Sequence, residues 1–217
     1  MNKKYIKILL CLFLAFTATL GVAFTMKADI GIGAFDALGM TVAHITGIKV
    51  GTVSLCYNLI LVGIQYLLLR KRFTLTHAMQ IPFNFVLGFS VNFFFYDVLK
   101  NFTITSYPMR VFFLILGYVI VSGTIGAIIS LDLVAFSLEG ACLAVSEKTG
   151  IEFSKIRQGC DIAFIAISLA VAFICRFSPY IREGTVLGMI ITGPMMGFCI
   201  KNAKKTFIKM GLLDPED

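Results

Sequence analysis

The sequence predicts an all-α, polytopic membrane protein with about six transmembrane helices in two inverted three-helix repeats, each containing a re-entrant or broken helical segment. The first observation behind this prediction is composition. The 217 residues are 58% hydrophobic and 14% charged, with a mean hydropathy of +0.90. A soluble domain is typically about 45–50% apolar and 25% charged, so soluble enzymes, nucleic-acid binders and secreted disulfide scaffolds are excluded.

The second observation is an internal repeat at an offset of about 103 residues. Without gaps, the shift aligns two acids, a Thr-Gly helix stop and a polar residue with counterparts: Asp29 with Asp132, Asp36 with Glu139, Thr46-Gly47 with Thr149-Gly150, and Asn58 with Asp161. A fixed period indicates a duplicated unit. We therefore expect a first membrane repeat at 1–103, a second at 104–206, and a short cytoplasmic tail at 207–217.

Six segments approach the roughly 20 apolar residues that a transmembrane helix needs. They cover residues 7–26, 50–69, 76–96, 110–130, 156–175 and 184–200. The first follows Lys3, Lys4 and Lys7 and imitates a secretory signal, but no small-x-small cleavage site comes after it. We expect it to remain as a spanning helix.

Two further segments, 28–47 and 131–150, are long enough to span but carry acids and are interrupted by glycine. The N-terminal lysines and the Arg70-Lys71-Arg72 cluster both favour the cytoplasm. An even number of crossings must separate them, so segment 28–47 is predicted not to cross, and the same holds for its counterpart. Thirteen of the 19 Lys and Arg residues then lie inside. Each half crosses three times, which inverts the second half relative to the first.

The third helix of each half is also interrupted. Pro82 stands in the first, near Asn84, and Gly193-Pro194 in the second. Proline removes a backbone donor and bends a helix. Paired interruptions at corresponding positions of two repeats indicate a transporter binding site.

The run from Ala28 to Leu38, ADIGIGAFDAL, is followed by Thr46-Gly47 and Gly51-Thr52, and resembles the YczE/YyaS/YitT family of bacterial integral membrane proteins. Gly184-Thr185 and Gly193-Pro194 are similar to that family's closing segment, so the resemblance covers about residues 8–200. Members often carry Pro before the Asp, where this chain has Phe35. The resemblance implies a multi-pass protein of the bacterial inner membrane, for which transport is a common supposition.

Asp36 and Glu139 are the first two candidate solute- or ion-binding residues. A charge at the bilayer centre costs about 2.5–3.5 kcal/mol on insertion scales, so it needs a reason to be there. Asp36 is either a proton or cation ligand on a broken helix or a cap at the headgroup level. Its counterpart Glu139 retains the carboxylate. Two such groups converging from opposite faces would allow one of them to carry a proton.

Three other polar residues complete the candidate set: Asn58, Asp161 and Asn84. Asn58 and Asp161 lie within spanning helices, where such side chains often bond across helices. Arg157 stands four residues before Asp161 and can pair with it on one helix face, so an ion pair and a binding role remain open. Asn84 is expected to line a cavity. Asp29 and its counterpart are better explained as caps at the membrane surface.

The sequence contains no pattern that indicates a metal, nucleic-acid or catalytic site. The six cysteines lie mostly in apolar runs without a CxxC, and His44 and His77 are isolated from one another, so no metal site is predicted. The net charge of +7 follows from the positive-inside bias and predicts no nucleic-acid partner. No catalytic motif is present, so we predict no enzyme and no cofactor.

The leading functional prediction is a secondary transporter of a small solute or ion, coupled to protons through Asp36 and Glu139. One alternative is a non-transporting membrane protein that assists the assembly or stability of another envelope protein. Another is an intramembrane enzyme acting on lipid. The predicted partners are the lipid bilayer, an unknown solute or ion, and protons. Whether the bundle acts alone or as a homodimer is left open.

Overall fold

The helices account for most of the chain in a computed structural model that describes residues 3–131, 133 and 136–213. Over this part no strand is present. The α-helices are α1 (Lys3–Ala28), α2 (Ala34–Thr46), α3 (Val50–Leu69), α4 (Leu75–Ala78), α5 (Gln80–Asn92), α6 (Tyr107–Ser130), α7 (Ser137–Thr149), α8 (Phe153–Cys175) and α9 (Glu183–Lys209). A 3₁₀ turn at Arg70–Arg72 follows α3, and a π-helical segment at Phe93–Val98 extends α5.

Six helical segments of the described chain are long and apolar enough to cross a membrane: Tyr5–Ala28, Val50–Arg72, Leu75–Val98, Tyr107–Ser130, Phe153–Cys175 and Glu183–Lys209. They confirm the predicted fold class, and the chain is a multi-pass membrane protein. With six crossings, α1 begins and α9 ends on the same side of the bundle. We call that side the terminal face, and the other side the opposite face.

The two segments predicted to be broken each contain a short helix. Both α2 and α7 have 13 residues, which gives a length of about 20 Å against a hydrocarbon core of about 30 Å. Neither helix can cross the bilayer alone. A non-helical stretch precedes α2, in which Gly31 has a φ of 108°, a conformation that favours glycine.

Residues paired by the repeat have the same local structure. The two short helices begin and end at residues separated by the predicted offset, and each is followed by a left-handed glycine, Gly47 (φ 71°, ψ 3°) and Gly150 (φ 72°, ψ 4°). The preceding Thr46 and Thr149 hydroxyls donate to carbonyls four residues back, at 2.7 and 2.8 Å. The Thr-Gly steps are therefore helix stops in both halves, as predicted.

The centre of the bundle is the crossing of α1 and α6, the first spans of the two halves. A Cβ atom at Gly117 would lie 2.7 Å from the carbonyl oxygen of Gly21 and 2.6 Å from Cγ2 of Thr25. No larger side chain fits without separating these helices. Around this crossing α6 packs against α9 and α1 against α5.

The short helix of each half also packs against a spanning helix of the other half. Helix α2 packs against α8, and α7 packs against α3. The buried hydroxyls of Thr41 and Ser168 lie 2.6 Å apart, and Ser168 Oγ also donates to the carbonyl of Ala37. At the position equivalent to Ser168, Gln65 Nε2 donates to the Ser137 carbonyl at 3.0 Å. Each half thus holds the short helix of the other from one equivalent position.

The predicted tail does not leave the bundle at once. Phe207, Leu212 and Leu213 are buried and pack in one cluster with Cys11 and Ala15 of α1. Residues 214–217 lie outside the described part of the chain.

Candidate functional site

A cavity of about 330 Å³ lies within the bundle, lined by residues from both halves. Its volume is at the lower end of the range for small-molecule sites, about 300–1,000 Å³. Tyr118, midway along the 24-residue α6, lines it, so the cavity lies near the middle of the bundle. Asp36 from α2 and Glu139 from α7 both line it. The two short helices therefore bring the predicted carboxylates to one space.

Most of the cavity wall is apolar. Aliphatic and thioether side chains come from α1, α5, α6 and α9, and aromatic rings come from Phe35, Tyr118 and Phe136. The hydroxyls of Thr19, Thr25 and Thr192 also reach the wall, but each donates to a carbonyl of its own helix. The polar groups left for a ligand therefore concentrate on α2, α3, α7 and α8.

Asp36 lies in the first turn of α2. The amide groups at a helix N-terminus carry partial positive charge, which favours a carboxylate there. Among the described residues, this carboxylate has no hydrogen bond and no ion pair, and its electrostatic neighbour is Tyr118. The Tyr118 hydroxyl donates to the Gly184 carbonyl at 3.0 Å. Its hydrogen is therefore not directed to Asp36, so no side-chain donor or cation among the described residues compensates the Asp36 carboxylate.

Two polar residues of α3 line the same cavity as this carboxylate. The Ser54 hydroxyl lies next to Gly39, one turn after Asp36, since a Cβ there would be 3.4 Å from it. Asn58 Nδ2 donates to the Ser54 carbonyl at 2.9 Å. The Ser54 hydroxyl and the Asn58 side-chain oxygen have no partner in the described chain, and both residues line the cavity.

The second half has a different arrangement around Arg157 of α8. Its Nε lies 3.5 Å from Glu139, and its Nη1 contacts Asp161. The contact with Asp161 was one of two open predictions, and it is present. The contact with Glu139 was not predicted. One guanidinium therefore serves both acids of this half, while the equivalent position in the first half is Ser54.

The charges of the cluster do not balance. The carboxylates of Asp36 and Glu139 line the cavity with the guanidinium of Arg157, and a third carboxylate, Asp161, pairs with that guanidinium. When all four groups are ionised, negative charge is in excess. The site is therefore suited to a cation and unfavourable for an anion.

Three of the five candidates, Asp36, Asn58 and Glu139, line the cavity, whereas Asp161 and Asn84 do not. Asn84 is buried, and its Nδ2 donates to Ser137 Oγ at 2.8 Å. This bond joins α5 to the first residue of α7, and Asn84 is not among the residues that line the cavity. The amide therefore positions α7, and Glu139 with it.

Asp29 lies at the opposite face, where it pairs with Arg110 at 3.2 Å. Its carbonyl accepts from Arg182 at 3.2 Å. This arrangement agrees with the expected role at the membrane surface. Its counterpart Asp132 lies outside the described residues.

The chain leading into α2 is bound to the start of α9. Gly184 N donates to the Ile30 carbonyl at 2.7 Å, and Thr185 Oγ1 donates to the Ile32 carbonyl at 2.7 Å. Nearby, His44 Nδ1 lies 3.1 Å from the Tyr180 hydroxyl. Burial, with smaller effects from Asp29 and Tyr96, raises the pKa of Tyr180, so this phenol stays neutral and available to His44.

The remaining histidine, His77, bonds to Thr74 at the start of α4. Within the described ranges no group of three or more His, Cys, Asp or Glu side chains is arranged to hold a metal ion. His77 therefore makes a local contact at the start of α4, whereas His44 joins α2 to the chain before α9.

The chain belongs to the family of unknown function DUF6198, whose match covers residues 5–201. This range contains the first five spans and the sixth as far as Lys201. No curated protein and no solved structure matches the chain.

Proposed function

We propose that the protein is a secondary transporter that moves a small solute or ion through the central cavity, where Asp36 and Glu139 contact it. The observation that carries the proposal is their position: equivalent acids of two equivalent short helices line one cavity. A purely structural bundle has no need for an uncompensated carboxylate near its middle, because such a charge is costly there.

The proposal includes an inverted relation of the halves, with α2 entering from the opposite face and α7 from the terminal face. In a bacterial cell membrane with both termini in the cytoplasm, the cavity would then open alternately to each side. We also propose that the chain is related to the YczE/YyaS/YitT family and that it is not an enzyme. Protons are the proposed coupling ions. The mechanism allows the protein to act as a homodimer.

The packing suggests which helices move together. Helix α2 is bonded to α8 through Thr41 and Ser168, and α7 to α3 through Gln65 and Ser137. Each of these pairs combines a short helix with a span of the other half. Rocking of the two pairs about the α1–α6 crossing would expose the acids to one side and then the other, as in other inverted-repeat transporters.

Cysteine accessibility tests this proposal without knowledge of the substrate. Ser54→Cys is introduced into a chain whose six native cysteines are replaced, and a membrane-impermeant thiol reagent is applied from each side separately. We expect labelling from both sides, because the cavity must open to each in turn. The matched control is Gly63→Cys on the same helix, which is exposed on the bundle surface and should remain unlabelled in the lipid.

Labelling of Ser54→Cys from one side alone would refute alternating access. Labelling from neither side would also refute it and would favour a role in assembling another envelope protein. A second prediction of the proposal is that Asp36→Asn and Glu139→Gln fold normally but abolish flux.

A further inference from the structure

Building on the proposed transport function, we infer that the substrate is a compact organic cation of the guanidinium or alkylammonium class, bound to Asp36 in the space beside Ser54. The inference comes from a difference between the halves. In the second half the acids Glu139 and Asp161 share the guanidinium of Arg157. Among the described residues of the first half, no side chain supplies that cation to Asp36.

The repeat shows where the missing cation belongs. Shifted by the offset of the repeat, Glu139 corresponds to Asp36 and Arg157 to Ser54. The remaining member, Asp161, corresponds to Asn58. An arginine side chain reaches well beyond the hydroxyl of a serine, and in the first half both Ser54 and Asp36 line the cavity. The Arg157 guanidinium of the second half therefore shows which kind of cation would fit beside the acid of the first half.

The groups around this space match such a cation. The Asp36 carboxylate supplies the opposite charge, and a carboxylate accepts two parallel hydrogen bonds from a planar guanidinium. The Ser54 hydroxyl and the side-chain oxygen of Asn58 are further acceptors without a partner in the described chain.

The rest of the wall selects for an organic body. Phe35 and Tyr118 line the cavity near the carboxylate, and aromatic faces attract organic cations. The remaining apolar surface suits alkyl or aryl groups on the ligand. A metal cation such as Ca²⁺ needs six to eight oxygen ligands, more than Asp36, Ser54 and Asn58 offer together.

Binding of radiolabelled guanidinium to the purified full-length protein tests the inference. Urea has nearly the same size and planar shape but no charge, so it is the matched control ligand. We expect saturable binding at millimolar guanidinium, competition by phenylguanidine, and no competition by urea. An added inorganic cation, sodium, should not displace the ligand.

Two substitutions locate the site. Asp36→Asn should weaken binding by about tenfold or more, because it removes a charge-assisted hydrogen bond. Ser54→Arg should abolish binding, because it places a guanidinium where the ligand belongs. The control Asp97→Asn removes an exposed acid outside the cavity and should leave binding unchanged. Gel filtration establishes that each variant is folded.

A reverse experiment uses Arg157→Ala. This variant leaves Glu139 and Asp161 without their cation, and we expect millimolar guanidinium, but not urea, to raise its melting temperature towards that of the unmodified protein. Equal effects of the two ligands would contradict the equivalence of the half-sites.

Unchanged binding in Asp36→Asn, competition by urea, or no saturable binding would overturn the inference. These results are distinct from failure of the transport proposal. Two-sided labelling of Ser54→Cys without guanidinium binding refutes the substrate class and leaves transport standing. Binding that depends on Asp36, with labelling from one side, refutes transport and leaves the binding site standing.

Discussion

Removal of the Arg157 side chain tests the charge arrangement of the cavity most directly. Arg157→Met keeps a long, apolar stem but leaves Glu139 and Asp161 without a cation. In the folded protein the side chain of Arg157 is 28% exposed, and those of Glu139 and Asp161 are 38% and 27% exposed. All three are thus partly screened by solvent.

These exposures place the expected effect between two limits. Breaking a fully buried ion pair costs about 3–5 kcal/mol, and losing an exposed one costs about 0–1 kcal/mol. For groups about one-third exposed we take roughly 2 kcal/mol of the free energy of unfolding. In a chain of this size each kcal/mol shifts the melting temperature by about 2–4 °C, so Arg157→Met should melt about 4–8 °C lower.

The chain has no Trp, so unfolding cannot be followed by tryptophan fluorescence. A thiol-reactive fluorescent dye is the appropriate assay of the melting temperature, because Cys11 and Cys142 are buried and become reactive when the protein unfolds. If charge is the cause, the triple variant with Arg157→Met, Glu139→Gln and Asp161→Asn should recover most of the loss. A single variant that melts like the unmodified protein would refute the ion-pair argument. A triple variant as unstable as the single one would show that the arginine acts through packing.

Three further substitutions or reactions test the packing. Gly117→Ala should lower stability by about 1–3 kcal/mol, because the added Cβ meets α1 at less than 3 Å; thermal melting measures it. Thr41→Val should cost about 1 kcal/mol through loss of the buried bond to Ser168, read in the same way. Oxidation should join Cys142 to Cys160, whose sulfurs lie 3.9 Å apart, which mass spectrometry detects as the loss of two hydrogen atoms.

Each of these tests has an internal control. Gly123→Ala, on the same helix as Gly117, meets no atom within 4 Å and should be neutral or stabilising by up to about 1 kcal/mol. Thr17→Val removes an exposed hydroxyl bonded only within α1 and should be silent. Cys160 with Cys175 lies on one helix and should not cross-link. Equal effects in test and control variants would contradict the packing described above.

Local features of the sequence were sufficient to predict the spans. The second predicted span, 50–69, coincides with Val50–Leu69, because hydropathy and length decide where a helix can cross lipid. The prediction for the last span ended at residue 200, but α9 continues to Lys209. A prediction from hydropathy ends a span at its last apolar residues. The helix itself continues beyond that point, because lysine and alanine are good helix formers.

The partners of the polar residues were harder to predict. Arg157 and Asp161 are four residues apart on one helix, so their pairing follows from helical geometry alone. The contacts of Arg157 with Glu139 and of Asn84 with Ser137 depend on how separate helices are rotated against one another. A single sequence contains no direct measure of that rotation. The repeat places Arg157 at the position equivalent to Ser54, but only the structure shows that both residues line the cavity.

Proton coupling follows from the chemistry of Asp36 if the proposed site is correct. Its carboxylate faces an apolar cavity without a cation among the described residues, and either a proton or a bound cation would remove that unfavourable charge. The two cannot both do so, because a protonated carboxyl no longer attracts a cation. We therefore expect guanidinium binding to weaken as the pH falls, by up to about tenfold per pH unit where Asp36 is protonated in the free protein.

The measurement is the release of protons on binding in weakly buffered solution, together with the affinity between about pH 5 and pH 8. Binding should release up to one proton per ligand at the acid end of this range, and none in Asp36→Asn. An affinity independent of pH throughout would show that the cation does not compete with a proton at this carboxylate. With this competition, a single carboxylate is sufficient for the exchange of protons for the organic cation, because the site must hold one or the other when it changes the side to which it opens. An inward proton gradient would then drive the organic cation out of the cell.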